Sequence, residues 1–516
     1  MARWVPPLQF TLDQALGIDG ADEALRSTRR TAIEVLSRRL TAGGEVSAAT
    51  SRELANGLPD VDFCSRYRAP FQFAAIAREL PMGTALVEAR GREVRDADGR
   101  WFYDVAGSYG VNVFGNRFYH HCIERGAARV SELGPVLGFH HPQMQDVIDR
   151  LRRLTGCEQF SFHMSGTEAV MQAVRLARYH TGKRHLVRFC GAYHGWWGDV
   201  QPGVGNPQTA RDTYTLRDMD ERSLGVLATR DDIACVLVNP LQALHPNKAA
   251  PSDSALLDSS RVAGVDRDAY VRWLKRLREV CTARGIVLIF DEVFVGFRLA
   301  KGGAQDYFGV RADLVTYGKT LGGGLPVGVV AGPPALMRRY RTDAPADICF
   351  ARGTFNSHPY VIGAMLTFLE YLDTEEAGRI YAEQDSLWQE RVGELNRRLS
   401  EAGLPLRIGH LQSIWTLCYT RPSRFNWLLQ YYLRAEGLLL SWVGTGRLIF
   451  SLDYTDAEFD DVADRIVAAA RAMERDGWWV AVPGQTDRAI RRRVLRELLY
   501  ARWPWLIGSM SSPRSR

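Results

Sequence analysis

The sequence lacks the features that mark membrane and secreted proteins. No apolar run approaches the roughly 20 residues that a helix needs to cross a bilayer. The first residues, MARWVPPLQFTLDQ, do not contain the apolar core of a secretory signal peptide. The eight cysteines are scattered and show no CxxC spacing, which favours reduced thiols. These absences predict a soluble protein of the cytoplasm, and no metal site is expected.

A large excess of one charge is also missing. The chain has 65 lysines and arginines, 59 aspartates and glutamates and a formal net charge of +6. This modest charge does not argue for nucleic-acid binding, although it leaves small anionic molecules open as ligands. The most basic stretch is a helix predicted from Asp487 to Arg502. It could contact a membrane or an acidic partner, but we favour a solvated helix that docks on its own domain.

Composition and periodicity divide the chain into five segments. The first is helical, because Arg26 to Leu40 carries apolar residues at helical spacing before Gly43-Gly44 interrupts the pattern. The second contains two strands, Ala85 to Arg95 and Trp101 to Val105, joined by a turn at Asp96 to Gly99. The expected segments are a helical N-terminal extension (1–75), the N-terminal part of a small domain (76–120), a large domain (121–372), a C-terminal small domain (373–480) and a basic tail (481–516).

From about residue 120 to 340, short apolar runs alternate with amphipathic helices. Strands that are apolar throughout and separated by helices are typical of a buried, mostly parallel sheet, so the expected fold class is α/β. After His358 the pattern changes to a separate α+β domain. The candidate strands are Leu186 to Cys190, Ile233 to Val238, Ile286 to Phe290, Leu314 to Tyr317 and Val327 to Ala331, then Ser413 to Tyr419 and Arg447 to Tyr454 before a helix from Asp456 to Arg475.

The first candidate site is Ser165-Gly-Thr-Glu168, between a predicted strand, Gln159 to His163, and a predicted helix, Ala169 to His180. Ser165 and Glu168 have the spacing of a capping box. A glycine at a helix start lets backbone N–H groups approach an anion closely, and the helix dipole favours negative charge there. The motif predicts either a phosphate-binding site or a helix cap without a ligand.

The second candidate site is Asp291-Glu292-Val293, directly after the predicted strand Ile286 to Phe290. Open α/β sheets bind their ligands at the carboxyl ends of strands. A carboxylate there could keep a pyridine nitrogen protonated, so that the ring accepts electrons from a substrate carbanion. The alternatives are a carboxylate that caps the next segment or one that binds a metal.

The third candidate site is Lys319, between the predicted strand that ends at Tyr317 and the glycine-rich loop up to Gly328. A Schiff base requires an amine that is partly removed from water, because its pKa then falls and a neutral nucleophile exists. The alternative is an exposed surface lysine beside a turn.

In this order, the motifs resemble those of the class III aminotransferases, especially their glutamate-1-semialdehyde aminomutase branch. The resemblance covers about residues 80 to 475, so the N-terminal extension and the basic tail lie outside it. It rests on Ser165-Gly-Thr-Glu-Ala169, Ala192-Tyr-His-Gly195, Asp291-Glu-Val293 with Gly296-Phe-Arg298, Gly318-Lys319 with Gly322-Gly-Gly-Leu-Pro-Val-Gly328, and Gly353-Thr354-Phe.

The resemblance implies a fold-type I enzyme that uses pyridoxal 5'-phosphate (PLP), with a large, mainly parallel-sheet domain and a smaller α+β domain. Lys319 would hold PLP as a Schiff base and carry the proton between the substrate and the cofactor. Thr354 resembles a phosphate-binding threonine supplied by the neighbouring subunit, which implies a homodimer with shared active sites. The cofactor-binding residues implied are Ser165, Gly166 and Thr167 at the phosphate, Tyr193 and Val293 on the two ring faces, Asp291 at the ring nitrogen, His194 as a hydrogen-bonding neighbour, Lys319 and Thr354.

The sequence departs from the family mainly where the substrate would bind. Where many relatives have Glu-Pro, this chain has Asn239-Pro240-Leu-Gln242-Ala-Leu-His-Pro246. That form resembles the aminotransferase modules of polyketide and peptide assembly lines, which aminate β-keto acyl thioesters. Two tryptophans after the Tyr-His-Gly motif suggest a bulky or apolar substrate, or a packed rim. Arg298 could bind a substrate carboxylate or form a surface salt bridge. The candidate substrate residues are Ser108, Tyr109, Trp196, Asn239 and Arg298.

We therefore expect transfer of an amino group from an amino donor to a keto or aldehyde acceptor in a specialised biosynthetic pathway. The acceptor could be a carrier-bound β-keto acyl thioester. A 2,1-aminomutase of the glutamate-1-semialdehyde type is the second hypothesis. Other PLP reactions, such as decarboxylation, rank third. The alternative of another class is a non-catalytic binding or scaffold module with the same fold, and Lys319 and Asp291 argue against it.

Overall fold

The computed structural model describes residues 6–201, 211–244, 259, 263–441 and 446–503. The strands are β1 (Leu86–Arg90), β2 (Glu93–Asp96), β3 (Trp101–Asp104), β4 (Gln159–His163), β5 (His185–Phe189), β6 (Thr213–Leu216), β7 (Ile233–Val238), β8 (Val287–Asp291), β9 (Leu314–Gly318), β10 (Gly328–Gly332), β11 (Leu406–Leu411), β12 (Ile414–Tyr419), β13 (Leu438–Leu439) and β14 (Arg447–Ile449). The α-helices are α1 (Leu12–Leu16), α2 (Glu23–Thr41), α3 (Glu45–Gly57), α4 (Pro59–Tyr67), α5 (Ala74–Glu79), α6 (Asn116–Arg129), α7 (Gln143–Thr155), α8 (Gly166–Thr181), α9 (Glu221–Thr229), α10 (Arg267–Arg284), α11 (Ala304–Phe308), α12 (Pro334–Met337), α13 (Pro359–Leu372), α14 (Glu375–Glu401), α15 (Leu429–Ala435), α16 (Asp456–Arg475) and α17 (Asp487–Arg502).

A seven-stranded sheet forms the centre of the large domain, in the order β4-β10-β9-β8-β7-β5-β6. β10 is antiparallel to both of its neighbours, and the other pairs are parallel. Every residue of β7, β8, β9 and β10 is buried, as the uniformly apolar runs predict. The predicted α/β fold with a mainly parallel sheet is confirmed.

Two smaller sheets complete the fold. One has the order β1-β2-β3-β13 and joins the N-terminal hairpin to a strand from the C-terminal part of the chain. The other has the order β11-β12-β14. It packs with α14 and α16 through a cluster of aromatic rings, in which Trp415 lies 4.6 Å from Phe450 and 5.9 Å from Trp388 between ring centroids. The C-terminal part therefore combines a small sheet with helices, as expected from the sequence.

One strand prediction is wrong. Ala85 to Arg95 does not form a continuous strand, because the chain reverses at Gly91 and pairs β1 with β2 in an antiparallel hairpin. Gly91 has a φ of 57°, a left-handed conformation that glycine adopts without a steric penalty. The predicted hairpin across the turn at Asp96 to Gly99 does form, between β2 and β3, with Val94 opposite Phe102. Strands β6, β11 and β13 have no counterpart in the sequence predictions.

The N-terminal extension packs on the C-terminal part of the chain. The Phe73 ring lies 5.6 Å from both the Phe425 and the Trp427 ring. Buried Arg29 of α2 donates to the carbonyls of Gly477 and Leu16, and its guanidinium lies 4.6 Å above the Phe425 ring. A charge buried in this way needs such acceptors, since an unpaired one would be costly. The extension is therefore an integral part of the folded unit.

In the part of the chain that the structure describes, every helix is too short or too polar to cross a membrane. All eight cysteines lie in this part, and each is a free thiol.

Helices α6 and α13 approach each other closely at Gly126. A Cβ atom on Gly126 would lie 2.6 Å from the Cα of Ala364, closer than packed atoms can approach. The backbones can meet here only because neither helix carries a side chain at the crossing, where Gly363 faces Gly126.

We predict that Gly126→Ala destabilises the protein by about 1–3 kcal/mol, because overpacking forces the two backbones apart. Gly225→Ala is the matched control, since Gly225 also lies inside a helix and a Cβ there meets nothing within 4 Å. That variant should be neutral or more stable by roughly 0.5–1 kcal/mol. Urea unfolding measures both changes, and equal midpoints for the two variants would contradict the close contact.

Candidate active site

A cavity of about 510 Å³ lies where β8 and β9 end, at the carboxyl edge of the central sheet. Ligands bind at this edge in open α/β sheets. The loops that follow the strands supply most of its wall, and one residue comes from the C-terminal sheet. The polar or charged side chains that line it are Ser165, Thr167, Tyr193, His194, Asn239, Asp291, Lys319 and Arg447.

Lys319 follows the last residue of β9 and lies inside this cavity. Burial lowers the pKa of its amine from the ordinary value, and the positive charges of Arg298 and Arg447 lower it further, while Asp291 acts in the opposite direction. Lys319 has a φ of 46°, a conformation that is strained for a residue with a side chain and occurs mostly at functional sites. The next residue, Thr320, is held by a 2.5 Å hydrogen bond with the Tyr119 hydroxyl. The backbone around Lys319 is thus anchored, and the amine is partly removed from water.

Asp291 is the last residue of β8 and is buried. His194 Nδ1 donates a 2.7 Å hydrogen bond to its Oδ2. The Val293 backbone N–H and the Thr316 hydroxyl donate to its Oδ1, at 3.2 and 3.4 Å. These three hydrogen bonds fix the orientation of the carboxylate. The cavity therefore contains an amine and an oriented carboxylate on adjacent parallel strands.

The start of α8 forms another wall. Ser165 is the N-cap and accepts from the Glu168 backbone N–H at 3.3 Å. The predicted capping box is only half formed, because the Glu168 carboxylate accepts from the Met164 N–H instead of from that of Ser165. A Cβ on Gly166 would lie 2.5 Å from Val293 Cγ1, so only glycine lets the helix start approach that side chain. Free N–H groups at a helix start favour an anion.

Tyr193 lies on the cavity wall with 58% of its surface exposed. Asn239 donates a 3.0 Å hydrogen bond from its side chain to the Tyr193 carbonyl and accepts one from the Leu241 N–H at 3.1 Å. Asn239 therefore lines the cavity and also holds the segment that carries Tyr193 and His194. His245 and Pro246, which complete the motif predicted around Asn239, lie outside the described residues.

Arg447 is a cavity residue that the sequence analysis missed. It is the first residue of β14, on the C-terminal sheet, and its positive charge lowers the pKa of Lys319. The signal available in the sequence was a single arginine before the apolar run Leu448 to Phe450. Phe294 was also missed, and its ring lies 5.2 Å from the Lys319 amine.

Arg298 is not in the cavity. It is fully buried, and its guanidinium donates to the Ser413 hydroxyl at 2.9 Å and to the carbonyls of Phe450 and Asn112 at 2.8 Å each. This placement supports neither the predicted contact with a substrate carboxylate nor a surface salt bridge. Arg298 instead joins the large domain to the segments before α6 and after β14.

The other predicted residues lie at the edge of the site or on the surface. Ser108 and Tyr109 are exposed, in the short turn that ends at Gly110 beside Phe294 and Lys319. Trp196 has 77% of its surface exposed and does not line the cavity. Thr354 is exposed on the single chain, so its predicted contact with the site of a neighbouring subunit stays a prediction.

The chain resembles proteins of known activity over most of its length. A family model described as aminotransferase class-III matches residues 75–470. The glutamate-1-semialdehyde 2,1-aminomutase of Nitratidesulfovibrio vulgaris is 30% identical over 413 residues, which are 75% of this chain and 91% of that protein. The enzyme of the same name from Methanocaldococcus jannaschii is 29% identical over 405 residues, which are 72% of this chain and 87% of that protein.

Solved structures agree in fold. An omega-transaminase from Sphaerobacter thermophilus has 25% identity and a TM-score of 0.63, covering 76% of this chain and 92% of that one. A glutamate-1-semialdehyde aminomutase from Pseudomonas aeruginosa has a TM-score of 0.69 over 87% of this chain and 99% of that one, and its 18% identity shows the fold alone.

The cavity fits the cofactor of this family. An amine of lowered pKa, a buried carboxylate on the adjacent strand and a helix that starts at a glycine are suited to the aldehyde, the ring nitrogen and the phosphate of PLP. With the match of the family model, they give a single conclusion. The chain belongs to the class-III aminotransferases and is a PLP-dependent aminotransferase or aminomutase of fold type I.

Proposed function

We propose that this enzyme transfers an amino group from a carboxylate-bearing amino donor to a separate keto or aldehyde acceptor. The observation that carries the proposal is the presence of Lys319, Asp291 and Arg447 in one cavity. Bound PLP supplies the electron sink that stabilises a carbanion at the substrate Cα. The protein must then hold the cofactor, move one proton and orient the substrate.

Lys319 is proposed as the residue that bonds to the PLP aldehyde and that moves the proton. Burial lowers the pKa of its amine, so the neutral form, which acts as nucleophile and as base, is more accessible than in an exposed lysine. Asp291 is proposed to hold the ring nitrogen protonated. Its fixed orientation, given by His194, Thr316 and the Val293 N–H, means that little reorganisation accompanies the reaction.

Ser165, Gly166 and Thr167 are proposed to bind the PLP phosphate through the start of α8. Tyr193 and Val293 are proposed to cover the two faces of the ring, since both line the cavity. His194 then acts as a positioning residue for Asp291, and Asn239 as a positioning residue for Tyr193.

Arg447 is proposed to bind the carboxylate of the substrate. It is the arginine that lines the cavity among the described residues, and guanidinium groups bind carboxylates through paired hydrogen bonds. Arg447 belongs to the C-terminal sheet, whereas Asp291 ends β8 of the central sheet, and both line the cavity. The substrate would thus lie between the two domains.

Transamination to a separate acceptor and 2,1-aminomutation use the same residues on the cofactor. The named relatives favour the mutase, whereas the omega-transaminase structure favours the separate acceptor. Our choice rests on Asn239, which lines the cavity where many relatives have a glutamate, in a motif that resembles aminotransferase modules more than the aminomutase. A role in specialised biosynthesis, a carrier-bound acceptor and a cytoplasmic location stay predictions from the sequence.

A homodimer is proposed because the segment around Thr354 has an exposed apolar surface. Ile348, Phe350 and Phe355 have 54%, 63% and 50% of their surfaces exposed. A second subunit would cover these side chains and bring Thr354 to the site of its partner, where the hydroxyl would donate to the PLP phosphate.

Lys319→Ala tests the proposed role of the lysine. The variant should fold and bind PLP without a covalent bond, and turnover should fall by at least about 10³-fold because the nucleophile and the proton carrier are lost together. The measurement is keto-acid formation from glutamate and alanine in the presence of keto acceptors, followed by mass spectrometry. Lys301→Ala is the control, since Lys301 lies outside the cavity. Steady-state activity close to that of the wild type in Lys319→Ala would overturn the assignment.

Arg447→Gln tests the carboxylate site. The variant should lose about 1.5–3 kcal/mol of binding for carboxylate donors, a rise in KM on the order of 10- to 100-fold, because a charged hydrogen bond is removed. Amines without a carboxylate serve as internal control and should be affected little. Equal losses for both kinds of donor would show that Arg447 supports the fold of the cavity rather than the substrate.

Mixed dimers test the shared site. In a Lys319→Ala subunit paired with a Thr354→Ala subunit, one site has both defects and the other has none if Thr354 acts across the interface. Two variants that are each nearly inactive should therefore regain activity after subunit exchange. Mixtures that are assayed before exchange are the control. If activity stays at the level of the separate variants after verified exchange, Thr354 acts within its own chain or not at all.

A further inference from the structure

Helix α17 is held against the protein by one face only. Ile490 is buried, with 3% of its surface exposed. The Glu497 carboxylate accepts two hydrogen bonds of 2.8 Å from the buried guanidinium of Arg424. Asp487 accepts from the backbone and the hydroxyl of Ser259, at 2.8 Å each. The predicted docking of this basic helix on its own protein is thus what the structure shows.

This docking turns both acidic residues of α17 towards the protein. The opposite face of the helix carries five exposed residues: Arg488, Arg492, Leu495, Leu499 and Arg502. With 3.6 residues per turn, they lie within about 80° of one another around the helix axis. Arg496, which is also exposed, lies at the border of this face. We call these six residues the outer face of α17. It contains arginine and leucine and no carboxylate.

The arginines of the outer face are not used for internal ion pairs. Among the described residues, Arg488, Arg492 and Arg496 have no acidic partner, whereas Arg493, on the side of the helix, pairs with Asp19 at 2.5 Å. Leu495 and Leu499 have 58% and 40% of their surfaces exposed, and Trp503, directly after the helix, has 44%. The sequence beyond Trp503 adds Trp505, Leu506 and Ile507 and has no acidic residue.

We propose that the outer face of α17 binds the surface of a membrane that contains anionic lipid. Arginines on a helix attract negative headgroups, and leucine and tryptophan side chains enter the boundary between headgroups and acyl chains. An acidic polypeptide would also attract the arginines, but it would leave the exposed leucines and tryptophan without a function. The helix lies on the surface and does not cross it. This proposal is independent of the reaction that the enzyme catalyses.

The test uses the full-length, PLP-loaded protein and vesicle flotation. The probes are vesicles of phosphatidylcholine mixed with phosphatidylglycerol, and vesicles of phosphatidylcholine alone. We expect wild-type protein to bind the anionic vesicles on the order of tenfold or more tightly than the neutral ones, with binding that weakens as salt is added. Absence of binding to anionic vesicles at low salt would overturn the proposal.

Two triple variants distinguish binding through the outer face from an effect of net charge alone. Arg488→Glu/Arg492→Glu/Arg496→Glu should lose the preference for anionic vesicles and keep its enzymatic activity. Arg52→Glu/Arg222→Glu/Arg272→Glu changes the net charge equally at three exposed arginines on other helices, and it should keep most of the binding. Equal losses in the two variants would assign the effect to net charge and contradict the proposal.

Leu495→Ser/Leu499→Ser separates a lipid surface from an acidic polypeptide. We expect this variant to lose vesicle binding severalfold and to bind polyglutamate as the wild type does. If the wild type binds polyglutamate more tightly than anionic vesicles, and the leucine substitutions change neither, the outer face recognises an acidic polypeptide and the membrane proposal fails.

Discussion

The amine of Lys319 has to be kept partly out of water and opposite a carboxylate, and the centre of the molecule is arranged around this constraint. β8 and β9 are adjacent parallel strands in which Asp291 pairs with Thr316, three residues before Lys319. Burial lowers the pKa of the amine, whereas the carboxylate opposes that effect. Burial and the carboxylate therefore act on the amine in opposite directions. Both strands are buried along their whole length, so the spacing of the two groups is fixed by the sheet.

The other residues of the site come from several parts of the chain that meet at the carboxyl edge of the sheet. The groups proposed to contact the cofactor come from the large domain, on β8, after β9 and at the start of α8. Arg447 comes from the C-terminal sheet, and the turn at Ser108 and Tyr109 comes from the N-terminal part of the small domain. Arg298 joins these three parts through buried hydrogen bonds. In the proposed function, cofactor chemistry and substrate selection therefore belong to different parts of the chain.

The sequence was sufficient where local chemistry determines the outcome. The buried strands were predictable because they are apolar throughout, and Asp291 and Lys319 were notable because each follows such a strand. The sequence was insufficient where a residue's role depends on its distant partners. Arg298 resembles a surface arginine until its acceptors, Ser413, Phe450 and Asn112, are known, and each is more than 100 residues away. Arg447 reaches the cavity through the packing of two domains, which no local pattern encodes. The break at Gly91 was missed because the residues on both sides have the composition of a single strand.

The central claim is that Lys319 alone bonds covalently to the cofactor. The sequence has five lysines, at positions 183, 248, 275, 301 and 319, so the claim can be tested residue by residue. The most direct measurement is borohydride reduction of the PLP-loaded protein, followed by proteolysis and mass spectrometry to locate the phosphopyridoxyl group. The account predicts one stoichiometric modification, on Lys319. Modification of another lysine at comparable yield, or none at all in protein saturated with PLP, would contradict it.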